Sequence, residues 1–374
     1  MEKPGPTPGL LVFMAKTELL SLLQRLLSLP TAPFHERFVS TFLREQLTRS
    51  GIEFACDEYG NITARTGGDA ELALVAHMDH PGFEIVSASA STAEAAWYGG
   101  VAARYFPGAR VVVYDQETGE VVSRGAIRKI RKNTAGRVEA LTLSMKTRVR
   151  AGDFGAWDLV PFRRVRSLIH TKAADDLVGC AAVLLTLKRL RANGVATGVR
   201  GVFTRGEEYG FLGTLGMIRS GALPRAVKVI SVETSKALPG VVLGGGPVIR
   251  LGDRASMFDH RMVYFMDAGA GDLAQRDRRF RFQRRVMDGG TCEATPYQLA
   301  GHIAGGVAIP LHNYHNQGKT RIGAEAVAIR DVEAAVDLLT ELSRRIGDFD
   351  SVGEELKKRI ESGWEKSGER LRRG

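Results

Sequence analysis

Three residue classes that would mark a specialised protein are scarce in this chain. Among 374 residues there are three cysteines, Cys56, Cys180 and Cys292. They lie far apart and form no C-x-x-C pair, which argues against a disulfide framework or a zinc finger and for a reducing, cytoplasmic compartment. No apolar run reaches the ~20 residues of a membrane helix, so no membrane partner is expected. Met1 to Gly9 carries Pro and Gly in place of a charged leader, and Leu10 to Met14 is too brief for a signal core, so no secretory signal is expected. Aromatics make up only 7%, and no RNA-binding aromatic signature occurs. The net charge of +10, from 52 basic and 42 acidic side chains, is therefore weak ground for a nucleic-acid partner. Its excess sits in Gln275 to Arg285 and Lys357 to Arg373, which read as a solvated loop-and-strand and a charged tail. G-x-S-x-G and H-E-x-x-H are both missing, which removes the commonest serine hydrolases and single-zinc proteases. Gly318-Lys319-Thr320 lacks the first glycine of a phosphate loop, and Gly244-Gly245-Gly246 lacks the spacing of a dinucleotide site and reads as a turn.

What remains is a long α/β pattern. Leucines at 19, 22, 23, 26 and 27 make a helical face from Thr17 to Leu29, and Phe38, Val39, Phe42, Leu43 and Leu47 repeat it. Strand-like segments flank Asp57 to Asn61, and a continuous apolar run, Leu72 to Ala76, follows. From Phe83 to Phe162 short strands alternate with Gly-containing turns. Helical periodicity is scarce there and resumes with Leu177 to Ala192, where Cys180, Val183, Leu184, Leu187 and Leu190 share one face. The chain therefore divides into a flexible segment 1–16, an α/β core of 17–83 and 163–348, an inserted small β-domain of 84–162, and a charged tail 349–374 that can form a basic amphipathic helix on Leu356, Ile360 and Trp364. The expected fold class is α/β, a mixed-sheet α/β/α core with an inserted barrel-like domain.

Chemistry-bearing side chains collect at the strand ends. His77 and Asp79 follow the Leu72 run, Asp175-Asp176 precede the Leu177 helix, Glu207-Glu208 follow a strand at Val199, Glu233 ends a strand at Val227, and His315 follows a strand at Val307. Singly, each has an ordinary explanation: a helix N-cap for Asp176, a solvated turn for Glu207-Glu208, a loop carboxylate or a surface histidine for the others. Together they are the inventory for two divalent metals, imidazoles plus carboxylates with one carboxylate bridging. Adjacent glutamates can point opposite ways, one toward metal and the other toward water as a general base.

His77-Met78-Asp79-x-x-Gly82-Phe83, Lys172-Ala173-x-Asp175-Asp176-x-x-Gly179, Glu207-Glu208-x-Gly210, Gly289-Gly290-Thr291 and Ile309-Pro310 leading to His315 resemble the tetrahedral-aminopeptidase/glutamyl-aminopeptidase family of dinuclear metallopeptidases. The similarity spans Thr17 to Ile346. It implies His77 and Glu233 on one metal, Glu208 and His315 on the other, Asp175 bridging, Glu207 as the base activating the bridging water, and Asp79 orienting His77. The implied function is removal of N-terminal residues from peptides. The implied cofactors are two divalent ions, zinc first, cobalt or manganese otherwise, and the implied partner is the chain itself, as dimers built into a hollow tetrahedral dodecamer. An N-acyl deacylase or carboxypeptidase of the same superfamily and a non-catalytic binding protein on this scaffold are the rival readings. The chain departs from the family pattern at His80, where an acid is usual, at Glu233 and Cys292, where aspartate is usual, and at His312-Asn313, where arginine-tyrosine is usual. Glu233 is expected to serve as a ligand, and His80 as a supporting or surface histidine in preference to an extra ligand. His80, Cys292 and His312 bear on substrate preference.

Overall fold

The apolar runs assemble into one mixed sheet of eleven strands in the computed structural model, which describes residues 8–373. Its centre is four adjacent parallel strands, in the order Gly198–Thr204, Ala70–His77, Lys228–Lys236 and Ala304–His312. Leu72, Leu74 and Val75 are fully buried, the pattern of a strand covered on both faces. Parallel pairing brings the carboxyl ends of all four strands to one rim. Register does the rest: His77 lies opposite Thr204, and Val75 lies opposite Ser231, so Glu233 is level with His77 two residues further on. Antiparallel strands flank this centre, with Glu53–Cys56 and Ile62–Thr66 on one side and Glu325–Ala328, Leu168–Thr171 and Arg163–Val165 on the other. Val248–Asp253 pairs with both Ala304–His312 and Gln283–Met287.

The helix Leu177–Ala192 packs on one face of the sheet, and its five expected inward residues are all fully buried. It shares a core with Pro8–Ser28, Arg37–Arg49, His260–Arg276 and Ile329–Arg344. Leu212–Ser220 and Ala294–Leu299 contribute to a second cluster with Ala73, Val75 and Val202. No helix among the described residues is long and apolar enough to cross a membrane.

Between the strand ending at His77 and the strand beginning at Arg163, six antiparallel strands close into a barrel: Gly82–Ala88, Thr92–Tyr98, Val138–Met145, Val121–Lys132, Arg110–Tyr114 and Phe154–Trp157 in spatial order. Its interior is filled by Phe83, Trp97, Phe106 and Trp157. Thr92–Tyr98 is alanine-rich and has weak strand propensity, which hid it in the sequence. Its alternating burial, with Ala93, Ala95 and Trp97 inward, shows the small residues meeting a narrow interior. The barrel meets the core at Lys172, whose Nζ donates to the Tyr114 hydroxyl at 3.3 Å and lies 5.0 Å from the centre of that ring.

Two segments differ from the sequence reading. The first helix begins at Pro8, inside the segment expected to be flexible, while residues 1–7 of that segment lie outside the described residues. The helix that the sequence places near His260 to Ala268 continues through Gly269 and Gly271 to Arg276. A β-carbon at Gly269 would sit 2.7 Å from Leu342 Cδ2, so this glycine permits a close helix contact just past the expected end of the helix. Gly244 and Gly246 form a turn whose amides donate to Asp331 at 2.6 and 2.8 Å. The tail folds as a helix, Val352–Ser367, with Ile360 and Trp364 exposed.

Candidate metal centre and active site

All seven sequence-selected side chains converge on the rim of the parallel strands. His77 Nε2 lies 3.6 Å from Asp175 Oδ1, 3.8 Å from Glu207 Oε2 and 4.0 Å from Glu233 Oε2. His315 Nε2 lies 3.4 Å from Asp175 Oδ2 and 2.8 Å from Glu208 Oε1. Asp175 thus turns one oxygen toward each histidine. Among the described residues, three sets of donor atoms lie within 4.8 Å of one another: His77, Asp175 and Glu233; Asp175, Glu208 and His315; and His77, Glu207 and Glu208.

Each donor is fixed by its own local structure. Asp176 caps the Leu177 helix by accepting from the Gly179 amide at 3.2 Å and from Thr234 Oγ1 at 2.9 Å. That leaves Asp175 as the member of the pair facing the histidines. Its amide and that of Ala174 donate to the buried Glu325 at 3.2 and 2.6 Å. His315 sits in a turn with φ of 53° and its Nδ1 lies 2.9 Å from the Gly100 carbonyl, which aims Nε2 at Asp175 and Glu208. The nearest acceptor of His77 Nδ1 is the main-chain oxygen of Asp79, at 3.1 Å, with the Asp79 carboxylate at 3.6 Å. That carboxylate mainly holds the opposite loop, accepting from the Glu207 and Glu208 amides at 3.0 Å each. Asp79 therefore positions the glutamate pair as well as the histidine.

Burial dominates the electrostatics. It pushes the Glu207 carboxyl well above the usual range; His77 opposes this, and Glu208, Glu233 and Asp79 reinforce it. Burial likewise pushes Glu233 up to about 7, against the pull of His77 and Arg250. For Asp175 burial works the same way but the attraction of His315 and His77 outweighs it, holding this carboxyl well below the usual range. Both histidines show the converse: burial lowers their pKa, and the surrounding carboxylates more than reverse it. The cluster thus holds more buried negative charge than its imidazoles balance. Asp175 Oδ1 is also buried without a hydrogen-bond partner. Orphaned carboxylate oxygen, imidazoles and an anionic surplus fit divalent cations.

The departures from the family pattern have distinct places. His80 is buried; its Nδ1 hydrogen-bonds the Asp175 carbonyl and its Nε2 lies 2.9 Å from Asn316 Oδ1, so both ring nitrogens serve the frame of the site. Asn316 in turn donates to the Lys172 carbonyl at 3.0 Å. Cys292 is buried, its amide donating to Asp253 at 3.0 Å, whereas His312 is exposed. Sequence reading passed over Glu36, Arg250, Glu293 and Glu325, all buried near these residues. Glu325 and Arg250 carried a signal, a charge next to a run of apolar residues. Glu36 and Glu293 carried none, because their partners are distant in the chain: Arg205 for Glu36 at 2.8 Å, and Thr204 for Glu293 at 2.5 Å.

The sequence profile of the M42 glutamyl aminopeptidase family matches residues 60–338. Among solved structures, a TET aminopeptidase from a marine sediment archaeon of the Thaumarchaeota superposes with a TM-score of 0.75 at 21% identity, covering 89% of this chain and 99% of that one. An aminopeptidase from the archaeon Desulfurococcus kamchatkensis gives 0.74 at 23% identity, over 90% and 98%. The Pyrococcus horikoshii TET1 peptidase, described as assembling into a tetrahedron or a large octahedral shell, gives 0.71 at 20% identity, over 87% and 99%. At these identities the structural likeness concerns the fold.

Proposed function

The chain belongs to the M42 glutamyl aminopeptidase family and is a metal-dependent aminopeptidase, a peptide-bond hydrolase; from that premise we propose how its own residues divide the work. His77 and Glu233 would hold one divalent cation and Glu208 and His315 the other, with Asp175 placed between the two pairs. The observation that carries this reading is Asp175 itself, with its two oxygens 3.6 and 3.4 Å from the two histidines. Cations bound there would supply Lewis acidity, lowering the pKa of water and polarising a carbonyl. Glu207 is the general base: it takes a proton from the attacking water and delivers it to the leaving amine. Asp79 positions the Glu207-Glu208 pair through the two amide hydrogen bonds, and His80 with Asn316 braces the Asp175 main chain.

Zinc is the proposed metal, from the mixture of imidazole and carboxylate donors, with cobalt or manganese as replacements. The barrel, residues 84–162 with the core divided around it, is proposed as the oligomerisation or lid domain. Self-assembly of this chain, through dimers to a dodecamer, is proposed from the assembling structures it resembles. A cytoplasmic setting accords with three unpaired cysteines.

The test compares hydrolysis of free-amino peptides with that of their N-acetylated counterparts, each with and without a chelator. Chelator-sensitive release of the first residue from the free peptides is expected. Turnover of only the blocked peptides would establish the deacylase reading instead, and cleavage unaffected by metal removal would overturn the dinuclear site.

A further inference from the structure

Three aromatic rings stand together at the mouth of the site and take no part in the chemistry above. Phe34, Tyr98 and Tyr209 meet edge to face in a closed triangle, with ring centres 5.1 Å apart for Phe34–Tyr98, 5.4 Å for Phe34–Tyr209 and 5.1 Å for Tyr98–Tyr209. Phe34 is 42% exposed and Tyr209 is 52% exposed, in a protein whose other large aromatics largely fill the interior. They come from three separate parts of the fold, the loop before the second helix, the end of a barrel strand, and the turn Glu207–Tyr209.

Each ring is tied to a group of the proposed active site. Tyr209 shares one short helical turn with Glu207 and Glu208. Tyr98 precedes Gly99-Gly100, and the Gly100 carbonyl is the acceptor facing His315 Nδ1. Phe34 has a left-handed backbone, with φ of 74°, uncommon for a bulky residue and maintained only where the surroundings enforce it. The enforcing group is the buried Glu36. It accepts from the Phe34 amide and from the Gly206 amide at 3.0 Å each, and pairs with Arg205, which donates to the Phe34 carbonyl at 3.0 Å. One carboxylate therefore fixes both the Phe34 loop and the entry to the catalytic turn.

The two flanks of the site differ in openness. On the Glu233 side Glu233, Arg250 and Cys292 are buried, whereas Phe34 and Tyr209 are exposed on the other. An exopeptidase confines the terminal residue and must let the rest of the substrate leave the site, so the open aromatic flank suits the departing chain. Glu207 delivers a proton to the leaving amine, which places the residue bearing that amine beside the Glu207–Tyr209 turn. We propose that Phe34, Tyr98 and Tyr209 form a subsite for the side chain immediately after the scissile bond, selecting an aromatic residue there. The rings fill one another's space, so they offer a rigid platform on which a flat side chain stacks. This inference rests on the aminopeptidase reading and adds to it a preference at the second residue of the substrate.

The test measures kcat/KM on two tripeptides with the same N-terminal residue, followed by Phe-Ala or Ala-Ala, for the wild type, Tyr209→Ala, Tyr209→Phe and Phe34→Gly. Glycine is chosen at 34 because it adopts the left-handed backbone without strain, so the loop keeps its path when the ring is removed. The wild-type ratio of the two substrates is expected to favour Phe-Ala by about tenfold, as an aromatic contact plus its buried area supplies. Tyr209→Ala and Phe34→Gly should bring the ratio toward one, and Tyr209→Phe should keep it. Since each variant is compared with itself, a general loss of activity cancels. A wild-type ratio near one, or a ratio unchanged by loss of either ring, overturns the subsite while leaving the aminopeptidase assignment standing. Failure of the wild type to cleave any free-amino peptide would overturn that assignment and the subsite with it.

Discussion

Lys172→Met is expected to stabilise the protein at neutral pH and to flatten its pH dependence. Lys172 is 5% exposed in the seam between barrel and core, with Tyr114 as its hydroxyl and ring partner. Burial lowers its pKa from 10.5 to about 7. Between these values the unfolded chain carries a proton that the folded lysine has released, so the folded state gains stability as pH rises. Below about pH 7 the lysine is charged in both states and its desolvation penalty is fully present. With each pKa unit worth about 1.4 kcal/mol, the lysine contributes about 3–4 kcal/mol of pH-dependent stability between pH 7 and pH 10. Methionine fills a similar volume without a charge, but forfeits about 1 kcal/mol of hydrogen-bond and ring interaction with Tyr114. The net expectation at pH 7 is a variant more stable by roughly 3 kcal/mol, with the gap closing by pH 10. Urea unfolding of both proteins across that range, at matched protein concentration, reads the difference directly. A gap that stays constant with pH, or a variant less stable than wild type at pH 7, would refute the reasoning.

Other perturbations address the site. Glu207→Gln should lower kcat by about 10²–10⁴ while metal analysis still finds two ions per chain, and an undiminished rate would remove Glu207 from the role of base. Asp175→Ala should abolish activity and fail to retain two ions, because it deletes the one carboxylate facing both histidines; two tightly bound ions in this variant would refute the bridge. Adding zinc to the metal-free protein at about a hundred times its dissociation constant should raise stability by about 2.7 kcal/mol, and an unchanged unfolding midpoint would refute cation binding to the folded cluster. Gly99→Ala should cost about 1–3 kcal/mol, since Gly99 has φ of 111° and a β-carbon there would stand 2.6 Å from Pro81 Cβ; wild-type stability would show that the turn relaxes freely.

Helices and central strands were legible because their signals are local: the inward face from Cys180 to Leu190 and the apolar run Leu72 to Ala76 need only periodicity and length. The strand Thr92–Tyr98 was hidden because its alanines acquire strand character only inside a barrel. The helix through Gly269 was cut short in the sequence reading because a glycine that breaks a helix and a glycine that admits Leu342 look alike until the neighbouring helix is in place.

The sequence by itself determined which side chains gather at the rim. Strands that alternate with helices pair in parallel, and parallel strands end together, so His77, Glu207, Glu208, Glu233 and His315 meet. Only the tertiary structure decided how they face one another and what holds them. Asp175 turns toward the histidines because Asp176 is occupied as a helix cap, and Asp79 accepts from a loop more than a hundred residues away in the chain. The buried Glu36 binds the Phe34 loop to Gly206, at the start of the Glu207–Tyr209 turn, 170 residues away. Hydrogen bonds between distant segments leave no periodic trace, because their partners become neighbours only after the core has formed.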